Sequence, residues 1–522
     1  MKGDRLMKKE LGKCVCAMPD NGDCSTVIVG KNASSTGWVI FGHNEDDYNC
    51  TLQMHRVPRI KHKEGETLSF ADGTAVIPQV PETYAYQWSE YRDVEGAAFA
   101  DCCVNEWGVA LMTDSCRPCK VSETEEVKQG MGYALRRIIP ERAKTAREGV
   151  EVAIALIEEY GYRSSRTYQI VDKNEAWILH IPTGTNYVAR RVGDDEVYYM
   201  ANHFTTHEVD FSDTENKNWY FSKDLVEYAI RNGWYTPKET EPVDIALATS
   251  FQFVEKKDYS DFDFAAAYQE GEDKLYNVSR VVTAWTKLFG EAPETNRPFS
   301  KKVTKKYTPE DVKAVLRLHF EEAEIDYSEG YKYNPHSDRE PSSVCNAMTM
   351  ESFVVEFHEI PELTCTWRAV PKPCIAPYVP FYLGSTKAPK GYSWLDPVIA
   401  QRTHFHLSDE ESKYDPTKAH WAFMTLLYLT EFDYAFTHKT LHKEVAEIEA
   451  KWLAERPVVI ETYKALLKAN PEMAEEYLTN YTGAKAQATW DWANEMIYTL
   501  GEAKILENGN SGHKPKDEDY LK

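Results

Sequence analysis

Cys24 stands where a polar, aperiodic leader meets a β-branched run, Ser25-Thr-Val-Ile-Val29, and that position has a chemical use. If the Asp23–Cys24 bond is cut, one residue carries both a thiol and a free α-amine. An α-amine has a pKa of about 7.7–8.0 and can act as a general base near neutral pH, and a thiol is the strongest nucleophile of its kind there. The thiol can also make the cut itself, by attacking the preceding carbonyl to form a thioester that water hydrolyses. Cys14 and Cys16 offer the same groups, but the loop-like stretch Ala17–Gly22 follows them, and a reactive terminus needs a rigid element to hold it. The competing reading of Cys24 is a small, half-buried core residue.

The elements that must hold such a residue are visible in the pattern. Ser25–Val29, a polar turn from Lys31 to Gly37 and the run Trp38–Phe41 read as a hairpin, whose second strand ends in the polar cluster Gly42-His43-Asn44-Glu45-Asp46-Asp47. Strands are expected over Ala97–Cys103, Val109–Thr113, Tyr168–Val171, Ala176–His180, Asn186–Arg191, Val197–Met200, Ser343–Phe357 and Thr364–Val370. Helices are expected over Tyr133–Tyr160 with a break at Pro140, over Val278–Leu288, and over Pro309–Phe320. Beyond residue 410 the chain turns helix-prone (His420–Glu455, Val458–Ala469, Ala486–Ile505) and closes in a tail, Gly509–Lys522, expected to be disordered. This order predicts an α+β enzyme: a leader over 1–23, a body over 24–400 and a helical extension over 401–522.

Composition narrows the function. With 522 residues, 42% apolar and 27% charged, the chain can bury a sizeable core. Its net charge of −23 opposes nucleic acid and anionic membrane as partners. The most apolar stretch, Trp421–Leu429, is too short to span a bilayer, and the leader lacks the apolar middle of a signal peptide, so a cytoplasmic location is expected. Eleven cysteines, two of them adjacent at 102 and 103, fit reduced thiols better than a disulfide framework. Cys116-Arg-Pro-Cys119 is a lone CxxC, and His203, His207, His404 and His406 lack the HExxH spacing, so no metal is expected. No phosphate-binding glycine motif is present.

Cys24-Ser-Thr-Val-Ile-Val-Gly-Lys-Asn-Ala-Ser34 and Ile40-Phe-Gly-His-Asn-Glu-Asp46 together resemble the opening of the dipeptidase A and secernin family of N-terminal-nucleophile hydrolases. Further matches follow in order: Val104–Ala110 with Thr113-Asp114-Ser115, Glu141–Glu148, Glu175–Trp177, Ala201–Phe204, Tyr276–Arg280, and Pro373-Cys374 through Tyr378–Tyr382. The similarity runs from about residue 24 to 390. It implies a four-layer αββα sandwich and hydrolysis of small peptides by Cys24 after loss of residues 1–23, without cofactor.

The resemblance also implies roles for single residues. Asp46 would hold the free amine, Asn202 would stabilise the oxyanion, and Arg280 would bind a substrate carboxylate or steady the cysteine. Thr113 and Asp114 would line the pocket beside His43 and Asn44, although the family usually carries arginine where this chain has His43. Two alternatives stay open: an N-acyl amide hydrolase of the penicillin V acylase or bile-salt-hydrolase kind, and a non-catalytic, secernin-like interaction protein. The C-terminal helices could pack on the body or mediate homo-oligomer contacts.

Overall fold

The computed structural model describes residues 24–508, apart from 48–49, 70–73, 94–101, 117–118, 121–129, 133, 239–258, 271–275, 295–297, 322–325, 337–341, 405–410 and 412. The leader with Asp23, Cys14 and Cys16, most of the strand expected from Ala97, His406 and the tail after 508 lie outside the described residues.

The β-branched run forms β1 (Ser25–Val29), which pairs antiparallel with β2 (Ile40–Asp46) as the expected hairpin. β2 does not stop before the polar cluster; it continues through it to Asp46. Ser25 lies opposite Asn44 and Thr26 opposite His43. The polar residues keep strand geometry because β2 is flanked on both sides, by β1 and by β17 (Thr349–Glu356). Around this pair a seven-stranded antiparallel sheet runs in the order β16 (Ser300–Lys302), β14 (Glu196–Met200), β1, β2, β17, β18 (Cys365–Ala369), β19 (Val379–Tyr382). β1, the strand that Cys24 precedes, is therefore interior to its sheet.

A second antiparallel sheet of eight strands is ordered β15 (Trp219–Phe221), β13 (Asn186–Arg191), β12 (Ala176–Thr183), β11 (Arg166–Val171), β10 (Ala110–Ser115), β9 (Cys103–Asn105), β8 (Tyr86–Asp93), β3 (Cys50–Val57). Two small ribbons pair β4 (Ile60–Lys61) with β7 (Glu82–Thr83) and β5 (Thr67–Ser69) with β6 (Val76–Pro78).

Side chains alternate along every strand, and the buried apolar residues sort accordingly. Ile28, Phe41, Met200, Phe353 and Val355 of the first sheet share one cluster with Ala110, Met112, Val171, Ile178 and Val188 of the second. Val27, Val29, Ile40, Val197 and Val354 point the other way, into a cluster with Val281, Val312 and Leu316 of the helices Tyr276–Phe289 and Pro309–Leu316. Leu111, Ile170, Trp177 and Leu179 meet Leu135, Ile139, Val150 and Ile157 of the helices Leu135–Arg142 and Ala146–Tyr160. At about 1.5–3 kcal/mol for each fully buried aliphatic side chain, these clusters hold the sheets in place.

The helical break expected at Pro140 falls at 143–145 instead. Pro140 sits inside the first helix, while Asn105 donates to the carbonyls of Pro140 and Ala143 (2.9 and 2.7 Å) and Thr145 caps the second helix. The 309–316 helix starts on a capping box formed by Thr308 and Asp311 and ends four residues before the expected Phe320. The C-terminal helices Ala419–Phe432, Tyr434–Ala469 and Pro471–Asn508 place Phe423, Leu426, Leu441 and Trp452 in the same cluster as Val27 and Val29. They pack on the body. Among the described residues no helix is long and apolar enough to cross a membrane.

Candidate active site

Cys24 lies directly before β1 and is buried. Extending the hairpin register by one step sets it opposite Glu45, and the two side chains hydrogen-bond. The same alternation puts Thr26, His43 and Glu45 on the face that looks toward the second sheet. There Asp114 of β10 meets them: the Thr26 hydroxyl donates to Asp114 Oδ2 (2.8 Å) and lies 2.8 Å from His43 Nδ1. Since that hydroxyl's hydrogen goes to Asp114, His43 Nδ1 is the N–H that donates to it. His43 Nε2 then faces Glu45 Oε2 at 3.1 Å, and a proton must lie between them. Gln169 adds a second donor to Asp114 Oδ2 (2.6 Å).

Burial governs the protonation of this group. It pushes the Glu45 carboxyl up to about 7, against the opposing pull of the Arg136 and Arg166 guanidinium groups, and pushes His43 down to about 4. Burial likewise raises Asp114. A neutral imidazole accepting the proton of a neutral Glu45 carboxyl is the arrangement these shifts favour below pH 7. The Cys24 thiol is raised well above its usual value by burial and then by Glu45, Asp114 and Asp46, while the Asp46 backbone N–H acts in the opposite sense. The resting sulfur is a thiol, and it needs a base. Surroundings this rich in carboxylate disfavour a thiolate and favour a cation beside it.

On the other side of the cysteine, one guanidinium nitrogen of fully buried Arg280 donates to the Cys24 carbonyl (2.9 Å) and to Asn202 Oδ1 (3.0 Å). Arg280 thus touches both Cys24 and Asn202 through a single nitrogen. The Asn202 amide in turn donates to the Ser115 carbonyl (2.9 Å), and its backbone has a φ of 51°, a left-handed conformation that asparagine tolerates. Asp46 accepts from Asn346 Nδ2 (2.6 Å), beside an irregularity in the β2–β17 register at Thr349/Glu351. Such bulges re-aim side chains next to sites.

The structure thus brings together Cys24, His43, Asp46, Asp114, Asn202 and Arg280. Two expected pocket residues stand apart. Asn44 points to the opposite face, where its amide donates to the carbonyls of Leu316 (2.8 Å) and Val344 (2.9 Å). Thr113 follows Leu111 in alternation, toward the helices, and not Asp114. In the sequence Glu45 stands out only as a member of the polar cluster, and nothing local marks Thr26, Gln169, Asn346 or Arg136; the even spacing of Thr26 from Cys24 and of Glu45 from His43 is the one signal of a shared face. Cys24, His43 and Asp114 present three donor atoms within 4.8 Å of one another, but the Thr26 hydroxyl already bridges two of them. The concavity lined by Met54, Arg56, Trp88, Arg368, Phe381 and Lys387 shares no residue with this site.

The profile of peptidase family C69 matches residues 23–447, most of the chain, and the chain belongs to that family. A probable dipeptidase from Latilactobacillus sakei is 26% identical over 399 residues, covering 74% of this chain and 79% of the relative. A dipeptidase from Bifidobacterium longum is 27% identical over 339 residues, 58% of this chain and 60% of that protein. A probable dipeptidase B from Streptococcus pyogenes is 22% identical over 530 aligned positions, 95% and 94% of the two chains. Among solved structures, a variant of conjugated bile acid hydrolase from Clostridium perfringens aligns with a TM-score of 0.28 and 10% identity over 66% of this chain and 89% of its own.

Proposed function

We propose that the chain is a cysteine-type dipeptidase, armed when scission of the Asp23–Cys24 bond removes residues 1–23 and frees the α-amine of Cys24. The amine takes the thiol proton as sulfur attacks the peptide carbonyl. Asn202, held by Arg280 and Ser115, donates to the oxyanion; as the oxyanion collapses the peptide C–N bond breaks, the α-ammonium gives its proton to the departing amine, and water then hydrolyses the thioester and releases the acyl group. Asp46, oriented by Asn346, holds the amine. No metal or organic cofactor takes part in this cycle.

The observation that carries the reading is the placement of Cys24: it is buried directly before β1, with its carbonyl held by Arg280 and with Glu45, Asp46 and Asp114 around its thiol. A cut at Asp23 supplies a free α-amine there, and the neighbouring carboxylates stabilise the ammonium that forms when this amine takes the thiol proton. Membership of family C69 and the dipeptidase names of the relatives support the substrate class. A free dipeptide also carries both charges, and the buried surroundings of Glu45 hold both carboxylates and the guanidinium groups of Arg136 and Arg166.

A four-layer αββα sandwich belongs to the same proposal. Its support is the sorting of apolar residues into one cluster shared by both sheets and one helix-covered cluster behind each.

Intact mass and N-terminal sequencing of active enzyme test the reading together with Cys24→Ala. The expected result is a chain beginning at Cys24 and a variant without dipeptidase activity. Full activity in a chain that keeps its leader, or in Cys24→Ala, overturns it.

A further inference from the structure

Away from Cys24, four buried side chains converge: His319 beyond the 309–316 helix, His336 and Cys345 before β17, and Cys374 between β18 and β19. Their donor atoms all lie within 4.8 Å of one another. His319 Nε2 is 3.0 Å from His336 Nε2, which is 3.1 Å from Cys374 Sγ and 3.8 Å from Cys345 Sγ, and the two sulfurs are 3.6 Å apart. A tetrahedral zinc ion with bonds of about 2.3 Å to sulfur and about 2.0–2.1 Å to nitrogen requires edges of about 3.8 Å between sulfurs, about 3.4 Å between nitrogens and about 3.6 Å between unlike donors. The four distances above match those edges to within about half an ångström, and the two remaining edges, from His319 Nε2 to the sulfurs, lie within 4.8 Å.

The outer nitrogens strengthen the case. His319 Nδ1 meets Glu321 Oε1 at 2.9 Å and His336 Nδ1 meets Glu431 Oε1 at 2.6 Å. Each carboxylate accepts from the Nδ1–H of its histidine, which leaves Nε2 as the ring atom turned toward the other imidazole and the two sulfurs. Carboxylate partners behind metal-bound histidines do the same: they set the tautomer and raise ligand basicity.

We propose that His319, His336, Cys345 and Cys374 hold a structural zinc ion. Two thiolates and two imidazoles in a closed tetrahedron select zinc over the harder divalent ions. No metal was expected from the sequence, because the four ligands stand 17, 9 and 29 residues apart and match no short motif. The ion would tie the β17 approach and the β18–β19 loop to Glu431 on the 419–432 helix. Residue 346, next to the ligand Cys345, is the asparagine that donates to Asp46, so the ion would brace that contact without touching substrate. The site is independent of the proposed peptidase function, and its readout is metal content.

Elemental analysis of the full chain, purified without chelator from zinc-supplemented medium, should give about one zinc per chain. Cys24→Ala should keep it, whereas Cys345→Ser and Cys374→Ser should lose most of it. If those variants fail to fold, the wild-type protein still decides: exchange to cobalt(II) should produce the thiolate charge-transfer and visible bands of a tetrahedral ion, and a chelator with a thiol reagent should release zinc and lower the melting temperature. Wild-type protein with less than about a tenth of a zinc per chain overturns the proposal. So does a different transition metal at these residues, or a Cys345–Cys374 disulfide in its place.

Discussion

Replacing Arg280 with methionine should lower kcat/KM toward a dipeptide by about 100–1,000-fold while changing stability far less. One buried nitrogen serves both the Cys24 carbonyl and Asn202 Oδ1. Hydrogen bonds from a charged donor contribute about 1.5–3 kcal/mol each, or about 3–6 kcal/mol for the pair. Removing the cation also removes a desolvation cost of several kcal/mol, so the net loss of folding stability should be about 1–3 kcal/mol. The rate has no such offset. Without Arg280 the Asn202 amide keeps its bond to Ser115 O but loses the donor that fixes its oxygen, and loss of an aimed oxyanion donor is worth about 2.7–4 kcal/mol in the transition state. Arg280→Lys, whose point charge cannot reach both acceptors in the same geometry, should fall between the two. Dipeptide hydrolysis followed by amine release, urea unfolding and intact mass on the same preparations separate these effects; a variant that retains residues 1–23 reports the same failure one step earlier. A folded, cut Arg280→Met enzyme within about threefold of wild type refutes the reasoning.

Three further perturbations probe the neighbourhood. Because the folded-state pKa of Glu45 is raised from 4.5 to about 7, its contribution is complete at low pH and is lost as pH rises through 7, a difference of about 3 kcal/mol; urea unfolding at pH 5 and pH 8 should show a markedly smaller fall for Glu45→Gln than for wild type, and parallel profiles would contradict the assignment. Asn44→Ala should cost about 2–5 kcal/mol of stability by stranding the Leu316 and Val344 carbonyls, yet leave KM within about twofold, since the side chain faces away from Cys24; a large KM change would restore Asn44 to the pocket. A methyl group at Gly42 would stand 2.4 Å from Val312 Cγ1 and 3.1 Å from Leu316 Cδ1, so Gly42→Ala should destabilise by about 1–3 kcal/mol in thermal or urea melts, and an unchanged midpoint would mean that the 309–316 helix can move aside.

How much of this could be read beforehand depended on which residues carried a local signal. β1 and the hairpin were visible because five consecutive small or β-branched residues precede a polar turn. The continuation of β2 was not, since His43, Asn44, Glu45 and Asp46 resemble turn chemistry until both faces of the strand are known to be buried and each side chain satisfied. The long strands β3 and β8 escaped for a similar reason: Gln53, His55, Glu90 and Arg92 interrupt their apolar pattern yet lie buried. Pro140 suggests a break that the chain does not make there; the joint is set three residues later by Asn105 and the Thr145 cap. The grouping of Cys24 with Asp46, Asn202 and Arg280 came from ordered family resemblance; no local periodicity relates residues so far apart. The partners that orient them, Asn346 above all, have no motif of their own.

The interior position of β1 has a temporal consequence for the cell making this chain. Cys24 is translated early, but the guanidinium that grips its carbonyl lies 256 residues downstream, and the amide that anchors Asp46 lies 300 residues beyond that aspartate. At ribosomal speeds of about 5–20 residues per second, those groups emerge roughly tens of seconds later. Until those residues have emerged, a nascent chain carries a sulfur with no machinery around it, so the order of synthesis by itself delays assembly of the site.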